Sequence, residues 1–235
     1  MTSSFAANFE TTSVAFLPLA EGQPEGNEAP VDLSRFPMAR RIVTRLENSL
    51  AQLARRARRL GPVDGGAVVL LTGCQAVAGC STLALALAAT ACRDERTALV
   101  DADFHQAGLT RQLSQPPDIG WEDVVQGRSF EDAGHSLDSQ GSLSFFPLGA
   151  PLADPDELLT SPGLAGWLAR LRQDFALSFV DGGSLLTGGA KWAPWVDAAL
   201  VVCRSGPELA EDWARAWDQL EEGGTHVLGI IETFV

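Results

Sequence analysis

Short, continuously apolar segments alternate along most of the chain with segments whose apolar residues recur at helical spacing. The apolar segments predict buried strands at residues 67–72, 97–101, 143–147, 176–181, 198–203 and 226–231. The helical spacing predicts helices at 37–60, 81–92, 119–126, 155–174 and 207–222. Strands that are apolar throughout and separated by helices are typical of a parallel sheet covered on both faces. The pattern therefore predicts an α/β fold with a mainly parallel central sheet and helices on both faces.

The first predicted helix differs from the others because one of its faces is rich in arginine. Residues 35–59 contain eight arginines and a single acid, Glu47. Before this helix, residues 1–33 are rich in Ser, Thr, Gly, Pro and Glu and show little periodicity, which predicts a disordered or loosely attached tail. We therefore divide the sequence into a tail (1–33), an amphipathic arginine-rich helix (34–62) and an α/β domain (63–235).

Charge and cysteine usage narrow the functional classes. The net charge of −13 argues against general nucleic-acid binding. The four cysteines form no CxxC motif, which is typical of a reduced compartment and predicts a cytoplasmic protein. No apolar stretch approaches the roughly 20 residues that span a bilayer, so we expect no transmembrane segment in the chain itself. Membrane association would then require a partner or a surface patch.

Residues 66–82, GAVVLLTGCQAVAGCST, have the outline of a P-loop between a strand and a helix. A P-loop uses backbone N–H groups to surround phosphate oxygens, a lysine to reach the β and γ phosphates, and a hydroxyl to hold Mg²⁺. Gly79, Ser81 and Thr82 are present, but Cys80 occupies the lysine position. Taken alone, the segment also fits an ordinary turn between a strand and a helix.

Other residues in and near this loop are unusual for a phosphate site. Cys74 and Val77 stand where related loops have glycine or another small residue, and a β-branched valine resists positive φ. The chain has one lysine, Lys191, so no neighbouring lysine replaces the missing one. Two interpretations of Cys80 remain open. A helix N-terminus could lower its pKa and make it a reactive thiol that pairs with Cys74, or both cysteines are small buried side chains.

Acidic residues follow two of the predicted strands. Asp101 and Asp103 end the strand at 97–101, and Asp181 ends the strand at 176–181. Ligands of parallel α/β sheets bind beyond the carboxyl ends of the strands, where such carboxylates could orient water or Mg²⁺. Acids in loops are also commonly just solvated, but motifs at three strand ends favour a nucleotide site.

In this order the motifs resemble the deviant-Walker P-loop ATPases of the MinD and ParA type. The closest resemblance is to the cytoplasmic kinase domain of the bacterial tyrosine kinases (BY-kinases) of polysaccharide export. Where those proteins have TSxxPGEGKST and LLIDADLRRPxL, this chain reads TGCQAVAGCST and ALVDADFHQAGL. Similarly, FPLGAPLADPDELL corresponds to LPAGxxPPNPxELL, SFVDGGS to VIIDTPP and LGIIETFV to LGVVLNRV. The collinear series identifies the chain as a member of this family.

The resemblance implies a three-layer P-loop NTPase-like fold and a vestigial site. The phosphate loop would comprise Gly79, Cys80, Ser81 and Thr82, the Mg²⁺ ligands would be Ser81 and Asp181, and the catalytic acids would be Asp101 and Asp103. Other family features are altered: Thr233 and Phe234 replace an adenine-reading asparagine and its neighbouring arginine, and His105 and Gln106 replace a basic pair. The chain also has no tyrosine, so it cannot phosphorylate itself on tyrosine.

These departures predict a catalytically degenerate domain that binds no cofactor, or MgATP and MgADP only weakly. As a pseudokinase or pseudo-ATPase, it would be a regulatory or scaffolding partner in exopolysaccharide or capsule biosynthesis and export. Expected partners are a membrane polysaccharide co-polymerase or export protein, a related kinase, or further copies in a homo-oligomer. We expect a cytoplasmic protein, peripheral at the inner membrane through a partner.

Several alternatives remain open at the level of sequence. The chain could be an active kinase-like enzyme or ATPase whose cation is Lys191 or an arginine from a partner subunit. A ParA-like role on DNA is disfavoured by the acidic charge and the missing lysine. The arginine-rich helix could contact an anionic membrane leaflet or the acidic surface of another copy, or it could simply face solvent.

Overall fold

A single sheet of seven strands forms the centre of the protein. The computed structural model describes residues 31–76, 78–113, 119–149, 154–206 and 209–233. The strands are β1 (Ala67–Gly73), β2 (Thr97–Asp101), β3 (His135–Ser136), β4 (Leu143–Phe146), β5 (Leu177–Ser184), β6 (Ala198–Arg204) and β7 (His226–Thr233). Their order is β3-β4-β2-β5-β1-β6-β7, and every pair is parallel except β3 with β4. The predicted mainly parallel sheet is confirmed.

The helices cover the sheet; α1 precedes β1, and the other helices lie between strands. They are α1 (Pro37–Arg58), α2 (Cys80–Ala91), α3 (Gly108–Leu113), α4 (Trp121–Val125), α5 (Phe130–Ala133), α6 (Pro155–Leu159), α7 (Pro162–Asp174) and α8 (Leu209–Glu222). Two 3₁₀ segments, Leu185–Thr187 and Gly189–Trp195, lie between β5 and β6. Within the described ranges, no helix has both the length and the apolar character needed to cross a membrane.

Two hydrophobic cores lie on opposite faces of the sheet. Val69 and Leu71 of β1 pack into the core beneath α1 and α2. Val68 and Leu70 face the other way, into the core beneath α4, α7 and α8. Alternate residues of a strand point to opposite faces, so a strand buried on both sides must be apolar throughout. This confirms the three-layer arrangement that the sequence predicts.

Helix α1 packs against α2 through its apolar face. The buried residues of that face are Ala39, Val43, Leu50, Leu53, Ala54 and Ala57. Val31 and Leu33 are also buried in this core, so packed structure already begins in the last three residues of the predicted tail. Residues 1–30 lie outside the described residues.

The predicted helix at 155–174 is wrong in one respect, because the structure forms two helices there. Helix α6 ends at Leu159, and α7 begins at Pro162 after the cap residue Ser161. The Ser161 hydroxyl accepts a hydrogen bond from the Gly163 N–H at 3.3 Å. Proline has no N–H and favours the first position of a helix, so Ser161 and Pro162 start a new helix. The short elements α3, α5 and β3 were not predicted.

Strand order brings the predicted motifs to one edge of the sheet. Strand β5 lies between β1 and β2, and Asp101 of β2 is in register with Asp181 of β5. The turn into α2 follows β1 at the same edge, because all three strands run in one direction. The candidate site is therefore built at the carboxyl ends of β1, β2 and β5.

Candidate functional site

A glycine turn joins β1 to α2. Gly79 has φ of +88°, a left-handed conformation that costs glycine little and strains residues with a β-carbon. Helix α2 begins at the next residue, Cys80, so the strand, turn and helix of the predicted P-loop are present. Val77 lies outside the described residues, and the predicted effect of this valine on the loop stays a prediction.

Asp101 and Asp181 form a buried pair of acids beneath this turn. Both residues are fully buried and lie opposite each other on adjacent strands. Burial, followed by the Asp101 charge, raises the pKa of Asp181 to about 7, although hydrogen bonds from Ser81, Gly183 and Cys80 oppose the rise. Asp181 therefore holds a proton for a large part of the time at neutral pH.

The carboxylates of Asp101 and Asp103 also hold the backbone of the turn after β2. Asp101 accepts hydrogen bonds from the N–H groups of Asp103 (3.2 Å) and Thr110 (2.7 Å). Asp103 accepts from the N–H groups of His105 and Gln106, both at 3.1 Å. Both predicted catalytic acids therefore order local structure, a role that requires no nucleotide.

Cys80 lies in the lysine position with its side chain buried. Burial raises the pKa of the Cys80 thiol well above its usual value, and Asp181 and Asp103 raise it further. The thiol hydrogen-bonds to Asp181, so a neutral group occupies the place where the family has a positive charge. The structure thus favours the interpretation of Cys80 as a small buried side chain over that of a reactive thiolate.

Cys74 forms a disulfide with Cys203, so the interpretation in which Cys74 pairs with Cys80 is wrong. The two Cα atoms are 5.2 Å apart, and the residues are separated by 129 positions in sequence. Cys80 and Cys92 are free and buried. The disulfide joins the start of the loop to β6, the neighbour of β1 in the sheet.

Reduction of this disulfide should lower the free energy of unfolding by roughly 2 to 5 kcal/mol, because the bond restricts the unfolded chain over a long loop. Urea unfolding with and without a phosphine reductant measures the change. The matched control is the Cys74→Ser/Cys203→Ser double variant, whose unfolding should not respond to the reductant. An equal response of the wild type and the double variant would contradict the prediction.

Polar side chains also attach the loop to the neighbouring elements. The Gln75 amide donates to Asp212 of α8 at 2.5 Å and accepts from the Arg204 N–H at 3.0 Å. The Thr233 hydroxyl of β7 donates to the Ala78 carbonyl at 2.9 Å. The loop is thus fixed against β6, β7 and α8. Nothing in the sequence pointed to Gln75, and Thr233 was noted only as the replacement for an asparagine.

A further group of buried polar residues connects the acids to the loop after β4. The Thr110 hydroxyl accepts from the Leu148 N–H at 2.9 Å, and the Thr110 N–H donates to Asp101. Glu122, which is buried, accepts from the Gly149 N–H at 2.7 Å. Sequence reasoning did not identify Thr110 or Glu122, because their partners are distant along the chain.

The structure brings most of the predicted site residues together. Cys80 and Ser81 lie against Asp181, and the register of β2 and β5 places Asp101 beside them. Thr82 is half-buried in the first turn of α2. Lys191 forms an ion pair with Asp156 at 2.5 Å and is about half-exposed. Among the residues that the structure describes, no three His, Cys, Asp or Glu side chains are arranged to hold a metal ion.

The parallel sheet, the glycine turn after β1 and the acids at the ends of β2 and β5 define a P-loop NTPase-like fold. The chain is 30% identical over 149 residues to the succinoglycan biosynthesis transport protein ExoP of Rhizobium meliloti (strain 1021), covering 58% of this chain and 18% of that protein. The chain is thus similar in sequence to part of ExoP, and its fold is that of the P-loop domains that include the BY-kinase domains and the MinD proteins.

Two solved structures have the same fold. The BceF tyrosine kinase domain is 26% identical with a TM-score of 0.64, over 88% of this chain and 79% of that chain. The kinase domain of the Escherichia coli tyrosine kinase ETK is 20% identical with a TM-score of 0.69, over 81% of this chain and 73% of that chain. No family model matches the sequence. The chain spans about a fifth of the length of ExoP, so the activity and partners of that protein enter only as proposals.

Proposed function

We propose that this domain is a catalytically degenerate P-loop protein that acts as a regulatory or scaffolding partner in exopolysaccharide biosynthesis and export. The observation that carries this proposal is the neutral Cys80 thiol, buried against Asp181 where a P-loop needs a cation. The fold around the thiol is retained, so the proposed loss concerns phosphate binding and not the structure of the domain.

The electrostatics of the site oppose a bound nucleotide. Phosphoryl transfer depends on positive charge placed against the transferred phosphate, and losing one such group typically costs several kcal/mol. Here a thiol replaces the lysine, and the buried acids Asp181 and Asp103 lie close enough to act on it. Ser81 and Asp181 are engaged with each other, and Asp181 is partly protonated at neutral pH. These residues therefore fit Mg²⁺ and triphosphate poorly.

The likeness to ExoP, a protein named for succinoglycan biosynthesis and transport, supports the polysaccharide setting. In that setting we expect a cytoplasmic domain whose partner is a membrane polysaccharide co-polymerase, an export protein or a related kinase. Such a partner would be recognised by the surfaces of the fold, because the proposed role requires no turnover.

The alternative, an active enzyme with an unorthodox cation, receives no support from Lys191. Its ammonium group pairs with Asp156 of α6. An enzymatic role would therefore require an arginine from a partner subunit.

The test of the proposal is calorimetric titration of the protein with MgATP and with MgADP. We expect no saturable binding tighter than about 1 mM, since a loss of roughly 4 kcal/mol converts micromolar into millimolar affinity. A BY-kinase domain that has the lysine serves as the positive control. In cells, a Ser81→Ala variant should restore polysaccharide production as fully as the wild-type chain. Micromolar MgATP binding together with phosphate release would contradict degeneracy.

A further inference from the structure

The solvent-facing side of α1 is strongly basic although the protein is acidic. Helix α1 contains six arginines and one acid, Glu47, while its apolar side is buried against α2. The helix contributes +5 to a total charge of −13, so the remainder of the chain carries −18. Arg40, Arg41 and Arg45 are exposed in the first half of the helix. We call the exposed side of α1 the arginine face.

Asp32 lies near Arg40 at the amino end of this helix, and two ion pairs are described near its carboxyl end. Arg55 pairs with Asp94 at 3.4 Å, and Arg58 pairs with Glu95 at 3.6 Å. Both pairs are substantially exposed, and such pairs weaken positive charge locally without removing it. Positive charge therefore remains exposed along the arginine face, and Arg40 and Arg41 present it in the first half of α1.

Exposed apolar side chains occur at both ends of the same helix. Among the described residues, the large apolar side chains that are exposed are Met38 (42%), Leu60 (38%), Val63 (97%) and Leu186 (69%). Three of these four lie at or just beyond the ends of α1. Positive charge flanked by exposed apolar groups matches a bilayer surface, where phosphate groups lie directly above acyl chains.

We propose that the arginine face docks on an anionic lipid bilayer, independently of any nucleotide at the P-loop. The arginines would contact the lipid phosphates, and Met38, Leu60 and Val63 would enter the boundary between headgroups and acyl chains. Helix α1 has 22 residues with a kink at Leu46, so it is at most about 33 Å long, and it would lie along the membrane plane. The acidic remainder is repelled by the same surface, which orients the domain with α1 towards the lipid.

Two features favour lipid over the acidic surface of a second copy. An acidic protein surface would neutralise the arginines but would offer nothing to the exposed Val63 side chain. The apolar groups lie at opposite ends of a long helix, which suits an extended flat surface better than a compact patch. A second copy is nevertheless one outcome that the experiment distinguishes.

The experiment is co-sedimentation of the full chain with large unilamellar vesicles. One vesicle population is phosphatidylcholine alone, and the other contains about 30% phosphatidylglycerol, which carries the negative charge. The wild type should bind the anionic vesicles only, and less as salt rises. The Arg40→Gln/Arg41→Gln/Arg45→Gln variant should lose on the order of 100-fold in partition coefficient, since each arginine near the surface contributes roughly fivefold.

A matched variant changes the net charge equally outside α1. Arg111→Gln/Arg128→Gln/Arg204→Gln removes three exposed arginines elsewhere and should bind like the wild type. A Met38→Gln/Val63→Gln variant should bind more weakly than the wild type at unchanged charge. Circular dichroism melting confirms that each variant is folded.

The proposal is overturned if the wild type does not bind anionic vesicles or binds neutral ones equally well. Equal losses in the two arginine variants would also overturn it, because the effect would then reflect net charge alone. If sedimentation without lipid shows an oligomer that only the α1 variant dissociates, and vesicles capture nothing, the partner of the arginine face is a second copy.

Discussion

Replacing Cys80 with lysine should tighten MgATP binding by roughly ten- to a hundredfold, the contribution of one charge-assisted hydrogen bond to a phosphate. The turn and helix that would present the lysine are already in place, with Gly79 at φ of +88° and α2 starting at residue 80. The new ammonium group would also lie against Asp181 and favour its ionised form, which is the form that binds Mg²⁺. Calorimetric titration of both proteins measures the gain.

The control for this substitution is Cys80→Met, which lengthens the side chain without adding charge. If the methionine variant gains as much affinity as the lysine variant, side-chain size rather than charge limits binding. If the lysine variant is folded but gains nothing, the contacts of Gln75 and Thr233 that fix the loop are the greater obstacle. Either result would contradict the prediction.

The sheet could be predicted from sequence because its strands are buried on both faces. A run such as Val68–Leu71 is apolar at every position, and burial on both sides explains that pattern directly. The break before Pro162 was missed for the opposite reason. Apolar residues on both sides of it kept a helical spacing, and that spacing outweighed the local signal of a serine followed by a proline.

The site was predictable only in part. Asp101 and Asp181 were identified as acids at strand ends, but their mutual register depends on β5 lying between β1 and β2. The pairing of Cys74 with Cys203 depends on β6 being the other neighbour of β1. Strand order is a property of the whole fold, and no spacing within the chain encodes it.

The environment of Cys80 shows how tertiary structure can reverse a local expectation. A helix N-terminus alone lowers the pKa of a thiol. In the folded protein, burial and the neighbouring acids act in the opposite direction and prevail. The presence of those acids was known from the sequence, but their position directly beneath the thiol was not.

Asp181→Asn should stabilise the protein at mildly alkaline pH. The pKa of Asp181 is about 7 in the folded protein against 3.8 in the unfolded chain. Between these values the folded state holds a proton that the unfolded state has released, so stability falls as pH rises. At roughly 1.4 kcal/mol per pH unit, the full loss reaches about 4 kcal/mol. Asparagine has the same shape and does not ionise, so the variant avoids this loss.

Urea unfolding at two pH values tests the effect, with the exposed Asp64→Asn as the matched control. Between about pH 5.5 and pH 8, ionisation of Asp181 should lower the free energy of unfolding of the wild type and of the control by roughly 2 kcal/mol. Asp181→Asn should not show this loss. If Asp181→Asn instead destabilises the protein at the higher pH, the ionised carboxylate has a cationic partner. Mg²⁺ that stabilises the wild type but not Asp181→Asn would identify that partner. Such a result would favour a functional metal site over a degenerate one, because a buried carboxylate can remain charged only where a positive charge compensates its lost hydration.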